Sequence, residues 1–145
     1  MTRLPKPAEA RTSSRGPRPV LERVWLTIGW LGVLAVVWLS LMPEPPRLDI
    51  EQGDKLQHLA AYGSLMLWFA QIAVARKPRL RTAVALVGLG LALEYAQRAT
   101  GYRTFSYADM AANAAGVACG WLLAPPRLPN ALRFAKRLAA GRGAG

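Results

Sequence analysis

Cysteine, histidine and acidic side chains are all scarce in this chain, and each shortage excludes something. Cys119 is the single thiol, so no disulfide staple can form within the chain, and its place in an apolar run predicts a buried small residue. His58 is the single histidine. There is no HExxH pair and no nucleophile elbow, so the signatures of zinc proteases and of α/β-hydrolases are missing. No internal repeat is present. Also lacking is the dispersal of apolar residues that a soluble core requires, because the apolar residues are bunched.

The bunching is the main positive signal. Between Arg23 and Glu44 runs VWLTIGWLGVLAVVWLSLMP, twenty residues without a charge, a length that matches the hydrocarbon thickness as a helix. Similar runs cover residues 56–75, 80–100 and 105–124, and the spacing predicts an all-α, polytopic protein of four transmembrane helices with spans at about 24–43, 56–75, 80–100 and 105–124. The first run follows basic residues, as a secretory signal does, but it exceeds the usual apolar core of about 7–15 residues and is read as a retained span. Residues 1–20, rich in Pro, Arg, Ser and Thr, are expected to form a disordered basic arm, residues 21–125 the helical domain, and residues 126–145 a basic tail. Within the tail, Leu128, Leu132, Ala135 and Ala139 share one helical side, which suits interfacial docking; a frayed tail is the alternative.

A net charge of +11, from 19 basic and 8 acidic residues, would point a soluble chain toward nucleic acid. In a membrane chain the placement of Lys and Arg reports topology instead. They crowd the stretch before the first run, the RKPRLR connection and the tail, leaving Arg47, Lys55, Arg98 and Arg103 elsewhere. Both termini are therefore expected in the cytoplasm, and no nucleic-acid partner is expected.

Polar residues gather where the runs meet the opposite side. Asp54, His58 and Tyr62 recur every fourth residue and share one helix face, with Lys55 three residues before His58. Glu94 and Gln97 follow at the end of the third run, and Arg103, Ser106, Asp109 and Asn113 at the start of the fourth. A central Asp, Lys or Arg costs roughly 2.5–3.5 kcal/mol on insertion scales, so such residues are retained for a reason. Each alone has a structural explanation: Glu94 pairing with Lys55 or Arg103, Asn113 bridging helices, Tyr62 anchoring at the interface. Together they predict a hydrated ligand-binding layer near the outer leaflet, with cations for a phosphate or carboxylate and carboxylates for a cation, amine or proton. Gly116 and Gly120 form a small-xxx-small face that should pack the fourth helix closely against the second or third.

The ordered set DKLQHLAAY, EYAQ and RTFSYADMAANAAG, spread over Asp54 to Gly120, resembles the VanZ-like family of bacterial membrane proteins. The resemblance implies a small polytopic protein of the bacterial inner membrane, from a family whose founding member is associated with low-level teicoplanin resistance. It maps the family's motif positions onto Asp54, Lys55, His58, Tyr62, Glu94, Gln97, Arg103, Ser106, Asp109, Asn113 and Gly116. The expected activity is binding of an anionic headgroup or lipid-linked cell-wall intermediate, with Lys55, Arg103 and His58 toward the anion and no cofactor. An embedded hydrolase or transferase is the alternative, with His58, Glu94 and Asp109 as candidate catalytic residues, or those three with Asp54 around a divalent metal. A structural assembly subunit is the third reading.

Overall fold

Five helices make up the regular secondary structure in a computed structural model of the chain, which describes residues 17–46, 50, 52–102 and 104–141. The all-α expectation holds for these residues. Helix α1 spans Pro17–Leu41, α2 Gly53–Phe69, α3 Arg76–Thr100, α4 Tyr107–Leu123 and α5 Ala131–Gly141. Residues 17–20, expected in the basic arm, open α1; Pro17 stands at the first helical position, where a missing N–H costs nothing. Residues 1–16 of that arm lie outside the described residues.

Helix ends differ from the apolar runs for local reasons. Helix α2 stops at Phe69, six residues before its run does, and α3 begins at Arg76. The intervening turn is fastened by buried polar groups that a run of apolar letters does not reveal. Gln71 donates to the Leu67 carbonyl (3.1 Å) and accepts from the Ala131 N–H (2.9 Å). Arg79 reaches the carbonyls of Ala73 (3.2 Å), Val74 (3.2 Å) and Pro125 (2.7 Å), so one buried guanidinium ties the α2–α3 turn to the end of α4. Pro78 falls in the first turn of α3, where N–H groups lack intrahelical partners anyway. Gly101, at φ 76°, closes α3 in the left-handed conformation that glycine adopts without strain.

Helices α2 and α4 form the most intimate pair. A Cβ at Gly116 would overlap the Leu59 carbonyl oxygen, and one at Gly120 would overlap the Gly63 carbonyl oxygen and come within 2.8 Å of Met66 Cβ. The small-residue face therefore meets α2, as one of the two expected partners. Cys119, one step around the helix from Gly120, is exposed, contrary to the burial expected of it. Helix α1 is clasped to α2 by Trp25 and Trp68, stacked at 3.9 Å between centroids. Each indole N–H donates to the other residue's carbonyl, at 3.1 and 2.9 Å.

Of the four expected spans, α1 meets the length and composition for crossing a membrane by itself: Val20–Leu41 has 22 residues of mean hydropathy 2.1, with 6% of its apolar window buried. Helices α2 and α4 have 17 residues each, about 25 Å at 1.5 Å per residue, a little short of a hydrocarbon core of about 30 Å. Helix α3 has 25 residues but opens with Arg76, Lys77, Arg79 and Arg81.

Candidate functional site

One end of the bundle gathers the C-termini of α1 and α3 and the N-termini of α2 and α4. A cleft of about 210 Å³ opens there between α1, the Pro45–Pro46 segment, α2 and α3. Asp54, Gln57, His58, Tyr62 and Gln97 line it, with Ser40 on the α1 side. The four-residue spacing of Asp54, His58 and Tyr62 thus becomes a polar stripe, running from the exposed mouth at Asp54 to Tyr62, which is 1% exposed.

Behind the stripe stand side chains from α3 and α4. Glu94, Gln97, Asp109 and Asn113 are all buried. Gln97 donates to the Ser40 carbonyl at 2.8 Å and so holds α1 to α3 at the cleft. Glu94 accepts from the Ser106 backbone N–H. The Ser106 hydroxyl in turn accepts from the Asp109 N–H at 3.2 Å and caps α4. Ser106 therefore sets where α4 begins, which fixes the height of Asp109 and, one turn on, of Asn113.

His58 is where the two shells meet. Its Nδ1 lies 3.0 Å from Asn113 Oδ1 and its Nε2 lies 3.8 Å from Asp109 Oδ2. With the amide oxygen as acceptor, Nδ1 carries the hydrogen; Nε2 faces Asp109 and forms an ion pair with it when the ring is protonated. At 3.8 Å the carboxylate and the ring are too far apart for a hydrogen bond. Asp109 Oδ1 is thus a buried acceptor without a donor among the described residues. Gly90 makes the arrangement possible, because a Cβ there would lie 2.9 Å from Asn113 Nδ2.

Lys55 sits at the rim of the cleft. Its ammonium pairs with the neighbouring Asp54 carboxylate at 3.2 Å, half-exposed at the mouth. Adjacent residues on a helix point about 100° apart, so Lys55 leans back to Asp54 while His58 turns inward. Slight burial acts to raise the Asp54 carboxyl, and the hydrogen bonds and charge of Lys55 outweigh it, holding the group below its ordinary value. Arg103 lies outside the described residues. Among the described residues, no group of three or more His, Cys, Asp or Glu side chains could hold a metal ion.

The structure thus brings His58, Tyr62, Glu94, Gln97, Ser106, Asp109 and Asn113 to one end of the bundle, with Asp54 and Lys55 at the rim. Two contributors carried no sequence signal: Ser40, through a backbone carbonyl that any residue offers, and Gln57, whose amide donates to the Pro46 carbonyl at 3.0 Å and pins the loop to the mouth. Comparison with known family models, curated proteins and solved structures finds no match to this chain.

Proposed function

We propose that the chain is a VanZ-like, multi-pass protein of the bacterial inner membrane. In this reading its outer-facing cleft binds the headgroup of an anionic lipid or a lipid-linked cell-wall precursor. Three features support the membrane assignment. Helix α1 is apolar and open to its surroundings, with Trp38 71% exposed. Large apolar side chains also face outward on α3 and α4, among them Val84 and Leu122. The described cations outside the cleft end collect at the other end of the bundle.

The observation that carries the binding reading is the unpartnered Asp109 Oδ1 behind His58, beside an open cleft. A headgroup hydroxyl or ammonium supplies the donor that Asp109 Oδ1 lacks, and Lys55 at the mouth meets a phosphate. The link to glycopeptide resistance comes with the family resemblance alone. A second reading, an embedded hydrolase or transferase with His58 as general base, draws on the same ring facing Asp109.

Blocking the cleft tests the proposal. Ala61 lines it, and Ala61→Phe should fill it, with retained fold checked by circular dichroism and thermal melting. Lipid extracted from the purified wild-type chain should contain one enriched phospholipid or lipid-linked species, and Ala61→Phe should lose it. Equal lipid profiles for the two proteins would overturn the binding reading. Turnover of that species by wild type and not by His58→Ala would move the assignment to the enzymatic one.

A further inference from the structure

The end of the molecule opposite the cleft carries a second surface, built on α5. Gln71 anchors this helix through the Ala131 N–H, and the Gln71 carbonyl accepts from the Asn130 side chain at 2.8 Å. Leu132 is buried, and Lys136 pairs with Glu22 of α1. Asn130 caps the helix by accepting from the Arg133 N–H at 2.8 Å. The helix is therefore docked, and it does not match the frayed-tail alternative. Only part of its apolar arc is used in docking: Phe134 and Leu138, one turn apart, are 63% and 54% exposed. Arg133 and Arg137, also one turn apart, flank them and are exposed.

Charge identifies what covers this face. Arg76, Lys77 and Arg81 on α3 and Arg127 after α4 are exposed at the same end as Arg133 and Arg137. Among the described residues the acid at this end is Glu22, and Lys136 takes it. A second copy of the chain would set this cationic rim against itself. An anionic lipid leaflet would neutralise it, while Phe134 and Leu138 enter the boundary between headgroups and acyl chains.

We propose that α5 is an interfacial helix that binds anionic lipid of the cytoplasmic leaflet through Arg133 and Arg137, with Phe134 and Leu138 inserted. This rests on the multi-pass reading above and is independent of the cleft's ligand.

The test uses the full chain with Cys119→Ser, reconstituted in bilayer discs of phosphatidylcholine alone or with phosphatidylglycerol added. Spin labels are placed singly at Phe134→Cys, Leu138→Cys and, as a reference, Val84→Cys. In the anionic discs, labels at 134 and 138 should be accessible to oxygen and shielded from a water-soluble nickel complex. That shielding should weaken in phosphatidylcholine alone. In Arg133→Gln/Arg137→Gln, its helix content checked by circular dichroism, the difference between the two lipids should be lost. Labels at 134 and 138 equally open to nickel in both lipids would overturn the proposal, as would spin–spin broadening that marks contact between copies. A Val84 label open to nickel would instead overturn the multi-pass reading itself.

Discussion

At the level of single side chains, most of the chemistry rests on the orientation of one imidazole. Because His58 is the only histidine, selective ¹⁵N labelling yields one ring to observe. Asn113 Oδ1 at 3.0 Å predicts the Nδ1–H tautomer for the neutral ring. Asn113→Ala should redistribute the ring between tautomers and cost about 1 kcal/mol, the usual worth of one hydrogen bond. A neutral wild-type ring protonated at Nε2 would refute the orientation. Sequence spacing foresaw that His58 and Asn113 belong to one layer, since each sits four residues from another polar residue on its own helix. It did not foresee that Asn113 orients the ring or that Lys55 turns to Asp54. Spacing of three or four residues defines a shared face, but a long flexible ammonium goes to its nearest carboxylate.

Among the helices, the contact most open to measurement is that of α2 with α4. Gly116→Ala and Gly120→Ala place a methyl group against backbone carbonyls of α2, which cannot swing aside as a side chain would. Each should destabilise the fold by about 1–3 kcal/mol, the usual range for overpacking, read as a lowered thermal midpoint in detergent. Gly88→Ala is the matched control: a Cβ there meets nothing within 4 Å, so it should be neutral or stabilising by up to about 1 kcal/mol through helix propensity. Equal losses at Gly88 and Gly120 would mean that the close approach is not what holds the pair. The glycine pattern was legible because small residues four apart stand out in any apolar run. The Trp25–Trp68 clasp was not legible, because in runs apolar on all sides nothing marks which face meets a neighbour. The short α2 was hidden for a related reason: residues 70–75 are nearly as apolar as the helix before them, and what ends it is the bonding of Gln71 to α5 and of Arg79 to the turn.

For the molecule as a whole, its two ends differ in charge. Acidic and amide groups surround the cleft, and exposed arginines and lysines crowd the opposite end. In the proposed multi-pass arrangement that polarity would set an orientation, with the basic end in the cytoplasm and the cleft outside. In a Cys119→Ser background, Glu44→Cys and Thr104→Cys sit in the two connections at the cleft end and should react with a membrane-impermeant maleimide in intact cells. Lys77→Cys, in the first turn of α3, and Ala140→Cys, on α5, should react only after permeabilisation. Reaction of all four from outside would leave no spanning topology to orient the cleft. An exchange of the two pairs would place the cleft in the cytosol, where a cell-wall precursor exposed on the outer leaflet could not reach His58. Disagreement between Glu44 and Thr104 would break the α2–α3 hairpin as a membrane-crossing unit, even though Arg79 holds its turn closed in the folded chain.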